Sequence, residues 1–424
     1  MERPLTGHIK KGEAPPGFRE YYRAGGYNGT IKALKEMTPA GVTSLVKASN
    51  LLGRGGAGFP TGVKWSLVPM EGENIFPKYL VCNADEMEPG TFKDRLLLEG
   101  NPHQLIAGMI AAAYAIQAGT AYIFLRWAYK KAERELRKAI SEAYREGFLG
   151  KNILGTGFNL DIHVHTSAGR YICGEETALL NALEGKRGIP RTKPPFPATS
   201  GLFGKPTVVN NVETLSWISH IVEKGADWFK GLSLTGTGGT KLYGVSGRVK
   251  RPGLWELPLG VTIGEIINEH AGGMHDGYAF RGVLPGGAST DFLVEEHLDV
   301  KMDFSTVAAA GSRLGTGTMI VLDDRTCPVA FLQNVEKFYA LESCGWCTPC
   351  REGLPWVEKM LSAIEDGKGK MEYLDILKFH TSYMGPGHTF CAHAPGAAEP
   401  LQSGLRFFHD DFKRHIEEKK CPWK

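Results

Sequence analysis

Four cysteines in the last hundred residues have a spacing that can hold an iron–sulfur cluster. Cys344-Gly-Trp-Cys347-Thr-Pro-Cys350 places three thiols at intervals of three residues, and Cys391 follows further along the chain. Three thiolates at this spacing can hold three corners of a cubane that a distant fourth closes, which predicts a [4Fe–4S] cluster and electron transfer. Zinc is the main alternative, although its ligands more often occur as separated CxxC or HxxxH pairs. A site without metal is the third possibility.

The other cysteines, and the histidines beside Cys391, show no further ligand pattern. His388 and His393 are predicted to be satisfied or exposed side chains, not ligands. The remaining thiols are predicted to be buried and chemically ordinary. They are Cys82, Cys173, Cys327 and Cys421. Eight cysteines in 424 residues are too few for a disulfide scaffold.

A glycine-rich segment, GRGGAGF at residues 53–59, could cradle an anion. It formally matches G-x-G-x-x-G, but it follows a helical segment instead of a strand, and no Walker A lysine occurs. Glycine amides, with charge added by Arg54 and Lys64, favour a phosphate or nucleotide. A tight structural turn is the alternative.

Polar residues follow the apolar segment YLVC at positions 79–82. Asp85 and Glu86, in the sequence NADEMEPG, would lie at the carboxyl end of a strand, where α/β sheets bind ligands. They could accept hydrogen bonds from a flavin ring or a ribose. A solvated acidic turn would give the same sequence.

Three further segments could complete a nucleotide site. Glu175 and Glu176, within YICGEET at 171–177, begin a helix, where capping alone would explain them. The basic, aromatic segment RTKPPFP at 191–197 could stack an adenine, or could be a proline-stiffened connection. Residues 210–214, NNVET, open another helix and could supply amide donors.

Strand-like and helical segments alternate through the first 230 residues or so, which predicts an α/β layer architecture. Strands are predicted at 79–83, 121–125 and 161–165, and helices at 102–117, 128–146 and 175–184. A glycine-rich linker at 231–239 precedes short strands around one helix, which indicate a small α+β region of β-grasp type. The chain from 329 onward has helical periodicity. We therefore predict domains at 1–235, 240–325 and 329–424.

Composition narrows the class of protein. A net charge of +3 gives no sign of a nucleic-acid binder. The N-terminus has no apolar core of a signal peptide and no transit-peptide pattern. The longest apolar run, 105–119, is shorter than the roughly 18–20 residues of a bilayer span, so we expect a buried core helix in a soluble chain.

Together these motifs resemble the NADH-oxidising, flavin-carrying subunit of respiratory complex I, the proton-translocating NADH:quinone oxidoreductase. The resemblance extends from about residue 26 to about residue 411. It rests on GRGGAGFPTGVKW, CNADEMEPGT, YICGEETAL, KPPFPA, VNNVETL and ESCGWCTPCREG. It implies a Rossmann-like FMN domain, a β-grasp domain and a C-terminal helical bundle that holds one [4Fe–4S] cluster.

The resemblance also implies residue roles. FMN would be bound by Gly53, Arg54, Gly55, Lys64, Asn83, Asp85, Glu86, Tyr171, Gly174, Glu175, Asn210, Asn211 and Thr214. NADH would be bound by Gly56, Phe59, Glu88, Glu176, Lys193 and Phe196. Glu176 would hold the adenosine ribose and repel a 2′-phosphate, and so select NADH over NADPH. The cluster ligands would be Cys344, Cys347, Cys350 and Cys391, the fourth supported by spacing and resemblance together.

The implied activity is hydride transfer from NADH to FMN, followed by single-electron transfer through the cluster toward quinone. No catalytic acid or base is assigned. The implied partners are a small thioredoxin-like [2Fe–2S] subunit and other peripheral-arm subunits, with neither nucleic acid nor membrane insertion. The implied location is the cytoplasmic side of a bacterial inner membrane. The alternatives are a diaphorase subunit of an NAD-linked hydrogenase or formate dehydrogenase, and a zinc-stabilised nucleotide-binding module.

Overall fold

A computed structural model describes residues 2–10, 12–73 and 75–424. The chain divides into two compact units. The first contains the residues up to 87, together with 92–241 and 256–260; the second contains 88–91, 242–255 and 261–424.

The first unit is built on a parallel sheet. Its strands are β1 (Tyr79–Ala84), β2 (Thr120–Leu125), β3 (Asp161–Thr166) and β4 (Thr207–Asn211). Its helices are α1 (Phe18–Arg23), α2 (Asn28–Glu36), α3 (Pro39–Ala48), α4 (Thr61–Ser66), α5 (Lys93–Gly100), α6 (Pro102–Ile116), α7 (Lys130–Arg145), α8 (Glu176–Leu183), α9 (Pro197–Ser200), α10 (Val212–Lys224) and α11 (Ala226–Gly231). The strand order is β3-β2-β1-β4, with every neighbouring pair parallel. The carboxyl ends of all these strands therefore share one edge.

Local sequence explains several helix ends. The Thr38 hydroxyl accepts a hydrogen bond from the Gly41 amide at 3.1 Å, and Pro39 occupies the first helical position of α3. Helix α6 is buried along almost its whole length, which confirms the predicted core helix. Within the described residues, we find no helix whose length and apolarity would let it cross a bilayer.

Glycines allow two helices to pack directly on the backbone of α10. A Cβ at Gly108 of α6 would lie 1.8 Å from the Leu215 carbonyl oxygen. A Cβ at Gly29 of α2 would lie 1.8 Å from the Ser219 carbonyl oxygen. Only glycine permits backbones to approach this closely. Helix α10 begins directly after β4, so these contacts also fix the carboxyl end of that strand.

The second sheet contains both parallel and antiparallel pairs. Its strands are β5 (Thr240–Ser246), β6 (Gly253–Pro258), β7 (Phe280–Leu284) and β8 (Thr318–Asp323). Their order is β6-β5-β8-β7, with β5 parallel and β7 antiparallel to β8. Helix α12 (Ile263–Glu265) continues into a wider π-helical turn, Ile266–His270, and α13 spans Phe304–Ala309.

The C-terminal part of the second unit is helical. Its helices are α14 (Pro328–Glu342), α15 (Thr348–Glu365), α16 (Glu372–Met384), α17 (His393–Phe407) and α18 (His409–Glu418). The predicted succession of an α/β layer, a small α+β region and a helical region is confirmed. The exact domain limits remain predictions.

Three details differ from the sequence-based expectation. The sequence does not predict β4 as a strand. Its five residues end in two asparagines, so they indicate only the segment that leads into a helix. The sequence does not predict β7, because its five residues include Gly282, which weakens a strand pattern. The helical pattern over 405–419 does not show a break, because its amphipathic period is continuous. The structure has two helices here, which meet at Phe408.

We predict that Gly108→Ala destabilises the first unit, because its methyl group would collide with the backbone of α10. The expected loss is about 3 kcal/mol, at the upper end for overpacking. Thermal unfolding followed by circular dichroism measures it. Gly231→Ala is the control, since a Cβ there meets nothing within 4 Å. Equal melting temperatures for the two variants would contradict the packing described here.

Candidate functional site

The carboxyl edge of the first sheet gathers polar side chains from several strands. Asn83, at the end of β1, donates from Nδ2 to the Gly174 carbonyl oxygen at 2.9 Å. Asp85 accepts a hydrogen bond from the Ser167 hydroxyl, just after β3, at 2.7 Å. Asn210 accepts from the indole nitrogen of Trp65 at 2.9 Å. The acidic segment that follows β1 is therefore held by hydrogen bonds at the edge of the sheet, and it is not a solvated turn.

The glycine loop, residues 53–59, is closed at its base. The Gly53 amide donates to the Phe59 carbonyl oxygen at 2.9 Å, and Leu52 and Pro60 form an antiparallel bridge. Gly56 and Gly58 have φ of 126° and 67°, a region that side chains disfavour. A Cβ at Gly55 would lie 3.1 Å from the Asn211 Cβ. The loop therefore lies against the end of β4, as a phosphate-binding loop at this edge would.

Arg54 anchors the glycine loop to the rest of the unit. Its amide donates to the Thr214 hydroxyl at 2.9 Å. Its buried guanidinium donates from Nη2 to the carbonyl oxygens of Gly238 and Thr240 at 2.8 and 3.2 Å. These contacts indicate that Arg54 shapes the loop and adds positive charge behind it. Its predicted contact with a ligand remains a prediction.

The adjacent residues Glu175 and Glu176 have different surroundings. Glu175 caps α8: its Oε2 accepts from the amides of Thr177 and Ala178 at 2.8 and 2.9 Å. Glu176 lies 3.0 Å from Lys64 Nζ and 2.8 Å from Lys193 Nζ, and Lys193 Nζ also lies 3.3 Å from Glu175 Oε1. Helix capping accounts for one oxygen of Glu175, while the predicted contacts of Glu175 with FMN and of Glu176 with NADH remain predictions.

Two lysines keep Glu176 ionised. Burial by itself would raise its pKa, but the charge of Lys64 and the hydrogen bond and charge of Lys193 outweigh burial, so the pKa lies below its ordinary value. The two aromatic side chains predicted to line the NADH site, Phe59 and Phe196, are 48% and 57% exposed. Exposed rings of this kind could stack on an aromatic base, which leaves their predicted contact with NADH a prediction.

Glu86 and Glu88 follow β1 but belong to different units. Glu86 accepts from the first amides of α5 and from the Tyr129 hydroxyl, the latter at 2.9 Å. Burial, and then the nearby Asp94 carboxylate, raise the pKa of Glu86 to about 7. Glu88 belongs to the second unit, where its Oε1 accepts from the Ser289 amide at 2.7 Å. The predicted contacts of Glu86 with FMN and of Glu88 with NADH remain predictions.

Tyr171 begins a short 3₁₀ turn, Tyr171–Gly174, that leads from β3 into α8. The turn ends at Gly174, the residue whose carbonyl oxygen accepts the hydrogen bond from Asn83. This hydrogen bond therefore brings the turn to the same edge as the glycine loop.

A cluster of buried charges behind this edge was not predicted from the sequence. Lys93 Nζ lies 2.7 Å from Asp94 Oδ1 and 2.9 Å from Glu213 Oε2. Lys241 Nζ lies 3.5 Å from the same Glu213 oxygen. Asn211 accepts from Lys93 at 3.1 Å and donates to Asp94 at 2.6 Å. These side chains link the end of β4 to α5 and α10.

Burial affects the two lysines of this cluster differently. It lowers the pKa of Lys241 to about 7. Burial would also lower the pKa of Lys93, but Asp94 and Glu213 outweigh it and raise that pKa above its ordinary value. Glu213 lies within VNNVETL, and Lys93 follows CNADEMEPGT closely, so both lie in or near the motifs described above. Nothing in one sequence indicates that these charges are buried together.

The second unit brings the predicted cluster cysteines to one region. Cys347 is the N-cap residue of α15, and Cys350 lies in its first turn. The amide of Phe390, next to Cys391, donates to Cys347 Sγ at 3.4 Å. Burial raises the pKa of Cys350 to about 11, and the nearby Cys344 and Cys347 contribute to the rise. A buried cysteine close to two others, with a backbone amide that donates to one of the sulfurs, fits a site where thiolates would hold an iron–sulfur cluster.

His393 is a satisfied core side chain, as predicted. Its Nε2 lies 2.9 Å from the Tyr339 carbonyl oxygen and the residue is buried. The His388 ring packs against Tyr383 with centroids 5.8 Å apart. These contacts give no support to a histidine ligand.

A separate cavity of about 430 Å³ lies at the amino-terminal edge of the first sheet. Tyr114, Phe158 and Lys78 line it, and Lys78 Nζ is held by Gln117 at 3.1 Å. Because parallel α/β sheets bind ligands at the opposite edge, we do not place the substrate there.

Comparison with known proteins gives matches along most of the chain. Residues 46–220 match the Nuo51 FMN-binding domain, 242–292 the SLBB domain and 330–415 the NADH-ubiquinone oxidoreductase-F iron-sulfur binding region. The NADH-quinone oxidoreductase F subunits of Salmonella typhimurium and of Escherichia coli are each 54% identical over 415 residues, which is 98% of this chain and 93% of theirs. A second F subunit of Rhizobium meliloti is 52% identical over 417 residues, which is 98% of both chains.

A solved structure is also similar. The NAD⁺-reducing [NiFe]-hydrogenase in the H₂-reduced state matches with a TM-score of 0.81 and 36% identity over 92% of this chain. This chain spans 64% of the length of that hydrogenase chain.

We predict that Glu213→Gln destabilises the first unit, because it leaves two buried lysines with less negative charge. Removal of one partner from a buried ion pair costs about 3–5 kcal/mol. Urea unfolding measures the loss. Glu133→Gln, which removes a surface ion pair with Arg137, is the control and should cost less than about 1 kcal/mol. Equal losses in both variants would show that the buried cluster contributes little.

Proposed function

The chain belongs to the family of NADH-quinone oxidoreductase F subunits, and we propose on this basis that it oxidises NADH and passes single electrons toward a quinone. The observation that carries the proposal is the agreement of two independent features. The family match spans 98% of the chain. The polar and glycine-rich segments expected to bind a flavin nucleotide meet at the carboxyl edge of one parallel sheet.

In this proposal the carboxyl edge of the first unit binds FMN. The amides of the glycine loop hold the phosphate, because bare glycine backbone can approach an anion closely. Asn83 and Asp85 would hold the flavin and its ribityl chain, and their hydrogen bonds with the 167–174 segment fix them in position. Asn210, Asn211 and Thr214 complete the pocket from the end of β4 and the start of α10.

NADH binds next to the flavin, between Phe59 and Phe196. Glu176 accepts hydrogen bonds from the adenosine ribose. Its two lysine neighbours keep the carboxylate ionised, so that it also repels a 2′-phosphate. Since hydride transfer requires no protein acid or base, the contribution of these residues is to bind and orient.

Electrons leave through the cysteine site of the second unit. Bound FMN can take up two electrons as a hydride and release them singly, and a [4Fe–4S] cluster carries one electron at a time. Cys344, Cys347, Cys350 and Cys391 would hold that cluster. Trp346 and Phe390 lie beside these cysteines, 47% and 56% exposed, with their rings 5.9 Å apart. An exposed aromatic pair beside an electron-transfer centre suits a protein partner.

We further propose that the partner is a small thioredoxin-like [2Fe–2S] subunit of the same complex. The assembly would lie on the cytoplasmic side of a bacterial inner membrane. A diaphorase role in an NAD⁺-linked hydrogenase is the second candidate, because the hydrogenase structure is 36% identical. The 54% identity to F subunits, over 93% of their length, favours the quinone-linked complex. Identification of the copurifying subunits distinguishes the two.

We predict that Glu176→Gln weakens the discrimination between NADH and NADPH. The loss of one negative charge leaves Lys64 and Lys193 available to a 2′-phosphate. The ratio of kcat/KM for NADPH to that for NADH, measured by ferricyanide reduction, should rise by about tenfold, equivalent to about 1.4 kcal/mol. Glu133→Gln is the matched control. An unchanged ratio would remove Glu176 from the substrate site.

We predict that Cys391→Ser loses the cluster but keeps the flavin. Iron should fall from roughly four atoms per chain, the content of a [4Fe–4S] cluster, while NADH still bleaches the bound FMN. Cys82→Ser, at a buried thiol in the first sheet, should keep its iron. Full iron content in Cys391→Ser would identify another fourth ligand.

A further inference from the structure

A second group of ligand-type side chains lies in the second unit, away from the four cysteines assigned to the cluster. It consists of Cys327, Glu365, His415 and Cys421, whose ligand atoms all lie within 4.8 Å of one another. All four side chains are buried. Cys327 and Cys421 were expected to be buried, and they are, but they are not isolated thiols.

The distances between the ligand atoms resemble the edges of a tetrahedron around one metal ion. Cys327 Sγ lies 3.3 Å from both Glu365 Oε2 and His415 Nε2. His415 Nε2 lies 3.2 Å from Glu365 Oε2. Zinc bound to sulfur at about 2.3 Å and to nitrogen or oxygen at about 2.0 Å would separate its ligands by roughly 3.3–3.8 Å. These three atoms therefore need only small movements to surround a zinc ion, and Cys421 Sγ, within 4.8 Å of each of them, would supply the fourth ligand.

The surrounding contacts orient these side chains in the way that metal ligands usually require. His415 Nδ1 lies 2.6 Å from the Asp411 carbonyl oxygen, which can only accept. Nδ1 therefore carries the proton, and the lone pair of Nε2 faces the other three groups. The Ala330 amide donates to Cys327 Sγ at 3.4 Å, as amides do to metal-bound thiolates.

Charge also favours a cation. Two thiolates and a carboxylate would place three negative charges in one buried cluster, at high cost without a counter-charge. Lys424 Nζ lies 3.0 Å from Glu365 Oε1 and supplies one positive charge. A divalent ion would supply the other two. The set of two thiolates, one imidazole and one carboxylate is typical of zinc.

We propose that Cys327, Glu365, His415 and Cys421 bind a structural Zn²⁺ ion. Four protein ligands leave no open position, which indicates a structural and not a catalytic site. Cys327 caps α14, Glu365 ends α15, His415 lies on α18 and Cys421 follows α18. The ion would therefore fasten three helix segments and the C-terminal residues together. None of these ligands is shared with the cysteines assigned to the iron–sulfur cluster.

Elemental analysis and zinc K-edge absorption on the whole, iron-loaded protein, purified without added zinc, test this proposal. The expected result is about one zinc per chain, with two sulfur neighbours at about 2.3 Å and two nitrogen or oxygen neighbours at about 2.0 Å. Cys327→Ser and Cys421→Ser should lose the zinc while keeping their iron. Cys82→Ser is the control and should keep both metals.

Four results would overturn the proposal. They are a wild-type chain without zinc, zinc surrounded only by nitrogen and oxygen, zinc retained by both serine variants, or a Cys327–Cys421 disulfide in peptide mapping of anaerobically purified protein. If the serine variants fail to fold, the absorption spectrum of the wild-type protein still decides. The zinc measurement does not depend on NADH oxidation, so a failure of the proposed electron-transfer function would leave it intact.

Discussion

The carboxyl edge of the first sheet depends on the fully buried carboxylate of Glu213. It lies between Lys93 and Lys241, and Asn211 completes the hydrogen bonding around them. This cluster holds the start of α10, the start of α5 and the end of β4 together. The next residue, Thr214, accepts from the Arg54 amide and so connects the glycine loop to the same cluster. A rigid, charged base behind the loop is what a preorganised anion site requires, because the loop then need not reorganise when a nucleotide binds.

Neighbouring carboxylates at this edge have different structural surroundings. Glu175 caps a helix and lies near Lys193, whereas Glu176 lies near both Lys64 and Lys193. Glu86 caps α5, whereas Asp85, one residue earlier, is held by Ser167 from the end of another strand. In each pair, one carboxylate accepts hydrogen bonds from the first turn of a helix, and the other is held by side chains from elsewhere in the unit. In the second unit, by contrast, Cys347 alone occupies the N-cap position of α15 and is also assigned as a cluster ligand.

Much of the fold could be predicted because local signals were strong. The apolar run at 105–119 indicated a core helix, and the alternation of strand-like and helical segments indicated the α/β layer. Strand β4 could not be predicted, because a five-residue strand that ends in asparagines resembles a helix cap and only its pairing with β1 defines it. The site segments were found by residue type. The burial of Lys93, Glu213 and Lys241, and the meeting of Cys327 with Cys421, depend on tertiary packing that the spacing along one chain does not encode.

The central claim is that NADH reduces a flavin at the edge of the first unit and that the electrons continue to a cluster in the second. Anaerobic titration of the purified protein with NADH, followed by absorbance and electron paramagnetic resonance, tests it directly. The account predicts bleaching of bound FMN together with a paramagnetic signal from a reduced [4Fe–4S] cluster that requires all four assigned cysteines. Protein that carries flavin and iron but shows no change on addition of NADH would contradict it.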